Sequence, residues 1–551
     1  MLQKIKFNSL YFIVFFTILN LIQVSFTELT SDEAYYWFYS LKLDWGYYDH
    51  PPMVGFLTYL GGLFFNSELG VRVFHVLTIS VGLFFLFKLL SEKEKIYAAV
   101  IILALPLFNY ISFIIFPDTA LVGATALILY GYKNFIDKNN IPTALLLGFY
   151  FSIALYSKYH AVLFIFFIVL SNIKLLTNKY FYISILTASI LFLPHLYWQY
   201  VHDFVTFKYH LIGRSSSFKL KFFTEFLGTQ IGIIGLAVIF IPFIYKPVNT
   251  FEKSLKYIAL GTFVFFAFSS LRGYVHLHWT SIALIPIIIM GAKFYSSRKS
   301  NKLFTYLTTP FIGLLLIIRL YFMFNIFGVN NLNVDYYHEH PLWAEDINTI
   351  ADTTPVVFNT GNSGLRDAPM YTFYSNKFAT ALFPGEHKKS QYQVLNYEDS
   401  IQNKTITYIE YNNKSNGTLV KSRMGKKFYH QKIENFKSFT NIIIESEFKQ
   451  DPQQENFLVT LKIKNHRNNA LIFSKEQKLY INFEDEKGFI KQKSINLSEI
   501  TNIKPTSERV ISIPVEKEFL PTNTYSYIIG FTNKLTSLNS VNSERKKIMV
   551  K

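Results

Sequence analysis

Ser31-Asp32-Glu33-Ala34-Tyr35-Tyr36-Trp37, followed by Leu43-Asp44-Trp45-Gly46-Tyr47-Tyr48-Asp49-His50-Pro51-Pro52, is a polar and aromatic stretch set between two long apolar runs, at 9–27 and 69–90. Runs of that length cross the hydrocarbon of a bilayer. The stretch between them therefore reads as a loop at a membrane boundary that carries carboxylates, a histidine and a row of aromatic rings.

Outward from this loop the pattern repeats. Further apolar runs fall at 96–116, 119–136, 142–156, 160–173, 181–198, 230–246, 255–270, 279–295 and 303–325, about eleven membrane segments in all. Half of the 551 residues are hydrophobic, 18% are aromatic, and the formal net charge is +17. The apolar residues concentrate before about residue 330, which is membrane composition, and the chain then turns polar. There is no cysteine, so disulfides, cysteine-based zinc sites and thiol nucleophiles are excluded. Lys4 and Lys6 precede the first run, and no small-residue cleavage site follows it, so it reads as an uncleaved first helix.

The lysines fix an expected topology. Lys88, Lys93 and Lys95; Lys133 and Lys138; Lys174 and Lys179; Lys246, Lys253 and Lys256; and Lys293, Arg298, Lys299 and Lys302 occupy alternate loops. The positive-inside rule puts these loops and the N-terminus in the cytoplasm, and an odd number of spans puts the C-terminal part outside. The basic excess is thus spent on topology, not on nucleic acid. The opposite loops hold Ser31–Pro52, Phe116-Pro117-Asp118, Ser157-Lys158-Tyr159-His160, a long connection from Trp198 to Gly228, and Arg272 to Trp279. Ionisable residues gathered at one rim suggest an active site open to the outer surface. A transport path would distribute them along several spans.

Acidic residues directly after a first membrane helix, then His-Pro-Pro, resemble the GT-C glycosyltransferases. The nearest branch contains protein O-mannosyltransferases and lipid A aminoarabinose transferases, and the Asp-Glu-Ala-Tyr-Tyr-Trp and Gly-Tyr-Tyr-Asp-His-Pro-Pro forms are similar to its bacterial members of families 39 and 83. The resemblance covers roughly residues 28–330 and continues weakly to about 395. It implies a GT-C fold, a polyprenyl-phosphate sugar as donor, an extracytoplasmic glycan, lipid or protein as acceptor, and residence in the inner membrane. It places the catalytic base at Asp32. The aminoarabinose branch continues Asp-Glu with Thr-Arg-Tyr. Here Ala34-Tyr35-Tyr36 follows and the arginine is missing, which argues against aminoarabinose transfer.

The chemistry is coherent with this. A sugar on a lipid phosphate already has a leaving group, and the reaction lacks an activated acceptor hydroxyl. A carboxylate in reach of that hydroxyl supplies the base, and displacement in one step inverts the anomeric centre. Asp32 is the expected base and Glu33 its partner. The plain alternative is that Ser31 or Asp32 caps the next helix. His50, Tyr35 and Tyr36 are candidates for substrate contact, against a turn role for His50 and an interfacial aromatic belt for the tyrosines. Asp118 matches the Pro-Asp of the family's second outer loop. Lys158, Arg72 and Arg214 are candidate phosphate ligands, against snorkelling, ion pairing and headgroup anchoring respectively. Arg272 and His278 complete the set. His276 and His278 suit a divalent metal only on extended backbone, so a metal has weak support and no other cofactor is indicated.

Beyond the membrane part, residues 331–437 mix short strands and turns, read as a small α/β domain in which Val356–Phe358 is a strand and 367–374 begins a helix. Pro384-Gly385-Glu386 followed by Ser390-Gln391-Tyr392 resembles a stretch of the bacterial branch. Residues 438–551 show repeated strand alternation, at 457–463, 479–483, 510–513 and 525–529, read as an antiparallel β-sandwich. No phosphate-binding glycine loop appears, which disfavours a nucleotide-sugar donor. Two other classes compete: a transporter or flippase of lipid-linked sugars, which needs internal repeats or broken helices, and a non-catalytic scaffold.

Overall fold

A computed structural model describes residues 7–211, 218–332, 335–359, 364–382, 390–395, 397–412, 416–439, 442–450, 457–465, 467, 470–473, 477–485, 488–497, 502–516, 520, 526–532 and 539–548. The chain divides into two compact units, Met1–His338 and Glu339–Lys551.

The first unit is helical: α1 (Ser9–Phe26), α2 (Ser31–Ser40), α3 (Met53–Gly62), α4 (Glu68–Lys88), α5 (Glu92–Ala104), α6 (Pro106–Phe113), α7 (Pro117–Lys138), α8 (Ile141–Ser157), α9 (Ala161–Ser171), α10 (Lys179–Val201), α11 (Val205–Leu211), α12 (Leu220–Ile234), α13 (Ile241–Ile244), α14 (Thr250–Ser270), α15 (Leu284–Ser296) and α16 (Lys302–Phe324). Among the described residues, α1, α4, α10, α16 and the continuous helix Leu277–Ser296 are long and apolar enough to span a bilayer. The pair α5 and α6 meets the same length and composition only when taken together, and it is bent by 74°. α3, α8 and α9 are shorter apolar helices.

The bend has a sequence cause. Pro106 offers no N–H and crowds the residue before it, and Leu105 takes an extended conformation with φ −88° and ψ 106°. Broken helical backbone inside a membrane needs new donors. The Asn109 amide provides them, donating to the carbonyls of Ile102 (2.8 Å), Leu103 (3.2 Å) and Leu105 (3.0 Å). Within the bundle α4 packs between α1 and α7, and α8 between α7 and α10. α4 and α7 approach through glycine, since a Cβ on Gly82 would lie 2.8 Å from the Gly123 Cα. Small residues at such crossings let backbones meet where no hydrophobic drive acts between helices.

Two expectations need correction. The described residues of the long connection from Trp198 to Gly228 are largely helical: α10 runs on to Val201, α11 follows, and α12 begins at Leu220. The run at 230–246 is no single span, because Gly235 takes φ +78° and ends α12, leaving only the one-turn α13 beyond it. The unit closes with a two-stranded hairpin of β1 (Asn331–Leu332) and β2 (Asp335–Tyr336).

The second unit opens with α17 (His340–Ala351), β3 (Val356–Asn359), α18 (Leu365–Ser375) and β4 (Ala379–Leu382). β5 (Ile406–Glu410), β6 (Thr418–Lys421) and β7 (Lys427–Ile433) complete a sheet of order β4-β3-β5-β7-β6, in which β3 is parallel to both β4 and β5. Two further sheets follow. One is the antiparallel set of β8 (Ile442–Gln450), β9 (Phe457–Asn465) and the strand Glu508–Val515; the other is centred on Lys478–Asp485, paired with Gly488–Asn496 and Ser526–Phe531. Alternate residues of β9 (Val459, Leu461, Ile463) share one apolar core with Leu479, Ile481, Phe483, Ile529 and Phe531, as strands with one buried face require. The Arg467 guanidinium, nearly buried, reaches Glu398 at 2.7 Å and ties this β region to the α/β sheet.

Candidate active site

The short helix α2 starts because Thr30 caps it. The Thr30 hydroxyl accepts from the Glu33 N–H at 3.4 Å and the Glu33 carboxylate accepts from the Thr30 N–H at 2.9 Å, a reciprocal capping box. Neither Ser31 nor Asp32 is the cap. Glu33 is fully buried and pairs with the equally buried Arg72. Its two oxygens accept from Arg72 Nε (2.7 Å), Arg72 Nη2 (2.6 Å), Thr30 N, the Thr30 hydroxyl (3.1 Å) and Ile115 N (2.8 Å). The remaining Arg72 donors go to the carbonyls of Val24, Thr27 and Glu28. With every lone pair and every guanidinium N–H engaged, this pair locks α1, α2, α4 and the segment before α7 together. That geometry corrects two expectations: Glu33 has no oxygen left to share a catalytic proton, and Arg72 has no donor left for a phosphate. Asp32, in the first turn of α2, is partly exposed. Its charge acts on Tyr337, whose hydroxyl is held up at about 12 chiefly by burial.

Tyr36 begins a continuous run of side chains from different elements. Its hydroxyl lies 3.5 Å from His50 Nε2, and its ring meets His50 at 5.5 Å and Phe116 at 6.5 Å between centroids. Phe116 stacks on His278 at 4.5 Å. His278 Nε2 is 3.7 Å from the carboxylate of Asp118, which is fully buried, and Lys158 Nζ donates to that carboxylate at 2.5 Å. Ser281 donates to its other oxygen at 2.8 Å. Lys158 also lies 5.9 Å from the Trp279 ring centre. His50, Tyr36, Asp118, Lys158 and His278 thus share one neighbourhood, although they come from four separate stretches of sequence. Pro117 at the first position of α7 sets Asp118 in the first turn, while Phe116 occupies the cap position. Lys158 ends α8 in extended backbone.

Tyr35 packs on Tyr39 at 5.0 Å, and Tyr39 donates to Asp49. Burial and the Asp49 charge hold both phenols well above their ordinary value, so they remain hydroxyl donors. His160 is driven well below its ordinary value, first by burial and then by Lys158. Arg272 lies exposed in the turn after α14, and Arg214 is outside the described residues. Among the described residues no group of three or more histidines and carboxylates converges as a metal-binding set; His276 and His278 stack at 5.6 Å instead.

Several contributors escaped the sequence reading. The loop at 45–49 is held by its backbone. His195 Nδ1 donates to the Trp45 carbonyl (2.6 Å), Thr206 to the Tyr47 carbonyl (3.0 Å) and His210 Nε2 to the Asp49 carbonyl (3.0 Å). His195 then accepts from Tyr159 at 2.8 Å through its other nitrogen, which fixes its tautomer. Gly46 lies against the Trp198 ring, where a Cβ would come within 2.5 Å. Ser281, three residues after His278, gave no sequence signal.

Comparison with known proteins bears on this arrangement. Over 76% of its length the chain is similar in fold to ArnT from Cupriavidus metallidurans, solved in the apo state (TM-score 0.56, 11% identity, 97% of that chain). It is also similar to ArnT bound to undecaprenyl phosphate (TM-score 0.55, 12% identity, the same coverage). The chain has the GT-C fold. It is a multi-pass membrane protein. Residues 49–198, which include His50, Asp118 and Lys158, match the family model described as dolichyl-phosphate-mannose-protein mannosyltransferase. In sequence the chain is 24% identical over 308 residues to the lipid A galacturonosyltransferase RgtD of Rhizobium johnstonii, covering 52% of this chain. That match spans 64% of the relative's length. The resemblance read from the first outer loop therefore holds.

Proposed function

We propose that this chain is an inverting glycosyltransferase that moves a sugar from a polyprenyl-phosphate carrier to a glycolipid or glycan acceptor on the extracytoplasmic side of the inner membrane. The observation that carries the reading is the assembly of Tyr36, His50, Asp118, Lys158 and His278 into one neighbourhood beside Asp32's helix, in a chain with the fold of ArnT. That fold accommodates undecaprenyl phosphate in a solved structure, which supports the donor class. The RgtD likeness favours a lipid A type acceptor over protein.

In the proposed reaction the acceptor hydroxyl attacks the anomeric carbon and Asp32 takes its proton. The bond from the anomeric carbon to the phosphate oxygen breaks, and the polyprenyl phosphate leaves with both electrons. Cationic and hydrogen-bonding groups at the rim stabilise the charge growing on the phosphate. Lys158, His50 and His278 are assigned this role. Asp118 and Ser281 hold Lys158 and the segment around His278 in position, and Tyr35 and Tyr36 offer aromatic faces and hydroxyls to the sugar. Arg214 and Arg272 flank the same outer rim in sequence and are assigned to carrier binding.

The test is a transfer assay on purified protein, with a panel of polyprenyl-phosphate sugars and envelope lipid acceptors, read by mass spectrometry. Transfer from at least one donor, with inversion at the anomeric carbon and loss in Asp32→Asn, is the expected result. Lipid-linked sugar crossing proteoliposomes without any transfer would overturn the reading.

A further inference from the structure

A cavity of about 490 Å³ opens at the far end of the helices that carry the candidate active site. It is lined by the last turn of α7, the segment after α9, and the first turn of α14, with Lys133, Lys174, Asn139, Asn178, Thr250 and Phe251 among its walls. α7 connects the two regions: Asp118 stands in its first turn and Asp137 in its last. At ~1.5 Å rise per residue the two aspartates are separated by about 28 Å along α7, close to one hydrocarbon thickness. α10 does the same, with Asn178 capping it at the cavity and His195 and Gln199 at the site. The cavity therefore faces the opposite leaflet, and its loops are those the positive-inside pattern assigns to the cytoplasm.

Its chemistry is that of an anion cradle. Asp137 is spent on Lys133, four residues before it, at 2.7 Å. Lys174 is exposed, and among the described residues no carboxylate lies within ion-pair distance of it. Lys138 and Lys179 flank the opening in sequence. The Asn178 and Asn249 side-chain oxygens are turned inward to cap α10 and α14, accepting from Tyr180 N and Glu252 N at 2.9 Å. The Asn178 amide donates to Asn139 Oδ1 at 2.7 Å, which closes that wall of the cavity, and the Asn249 amide is the donor end of its side chain. Beside the mouth, Ile173 and Leu176 expose apolar side chains, 65% and 49% accessible, where acyl chains of the leaflet would run. A basic cavity between membrane helices, at the headgroup level and next to apolar flanks, fits a lipid phosphate.

We propose that this cavity binds the phosphate headgroup of an anionic phospholipid of the cytoplasmic leaflet, with Lys174 as its principal cation and Lys133, which it would share with Asp137, as the second. The site is separate from the carrier-phosphate site proposed above and stands even if that reading fails.

Native mass spectrometry of the full chain in detergent, titrated with phosphatidylglycerol or with phosphatidylcholine, tests it. Phosphatidylglycerol adducts should exceed phosphatidylcholine adducts, and Lys174→Gln and Lys133→Gln should each weaken the anionic adduct roughly fivefold. Lys253→Gln, on the same side but outside the cavity, should leave it unchanged. Equal adducts in native protein and both cavity variants, or equal binding of the two lipids, would overturn the proposal. So would saturation of the adduct site by inorganic phosphate with no preference for lipid. Transfer activity is not the readout, so failure here is distinguishable from failure of the enzymatic reading.

Discussion

Asp118 and Lys158 form a 2.5 Å ion pair almost wholly out of solvent, and they join the start of α7 to the end of α8 across 40 residues of sequence. Removing one member leaves a buried charge with no counterion, which costs about 3–5 kcal/mol, whereas removing both costs far less. Asp118→Asn and Lys158→Met should each lower the thermal midpoint in detergent, and the double variant should recover most of the loss. All three should lack transferase activity, because in the proposed reaction the pair positions the cations for the carrier phosphate. Additive destabilisation in the double variant would dissolve the pair as an energetic unit.

The adjacent carboxylates Asp32 and Glu33 should respond oppositely. Asp32→Asn should keep the melting curve and lose about 10²–10⁴ in kcat. Glu33→Ala should lose folded protein, again by about 3–5 kcal/mol, because Arg72 is then stranded in the bundle. Size-exclusion profiles and turnover on the same samples separate the two effects.

This contrast marks what the sequence could and could not say. Alternation of lysine-rich and site-bearing loops was legible in the sequence, and in the structure Asp118, Lys158 and His278 lie beside Phe116, Tyr36 and His50. The division of labour between Asp32 and Glu33 was not legible. It depends on Arg72, 39 residues away, whose guanidinium geometry no spacing rule encodes. The helices α11 and α12 were hidden by the polar content of 198–228, part of which, at Thr206 and His210, serves the 45–49 loop. Arg319 shows a signal present but unread: a lone cation in an apolar run, it binds Asn20 (2.8 Å) and Asn109 (3.1 Å), joining α16 to α1 and to the bent α6.

His160 predicts an acid limb in stability. Its folded-state value lies below the usual ~6.5 of the unfolded chain, so it is neutral when folded, and the unfolded state binds the extra proton. The contribution is complete above pH ~6.5 and is lost as pH falls below it, by up to about 1.4 kcal/mol per pH unit. His160→Gln should flatten that limb between pH 6.5 and 5 in detergent melts, even if it lowers the plateau. An unchanged slope would assign the acid sensitivity to other groups.

The loop that presents His50 should be sensitive to α11. Its carbonyls at Trp45, Tyr47 and Asp49 are each taken by a side chain, and Thr206 is the smallest of the three donors. Thr206→Val keeps the shape, removes the donor to Tyr47 and leaves that carbonyl without a side-chain partner, at a cost of about 1–3 kcal/mol. Thr206 touches neither Asp32 nor His50, so its effect on turnover must pass through the loop. Displacing a binding group by an ångström costs about 10²-fold in rate when orientation carries the catalysis. Thr206→Val should therefore reduce kcat/KM well beyond its effect on the melting temperature, and Thr206→Ser, which restores the donor, should recover most of it. Equal loss in the valine and serine variants would mean that packing of the threonine methyl matters, and not the hydrogen bond to the loop.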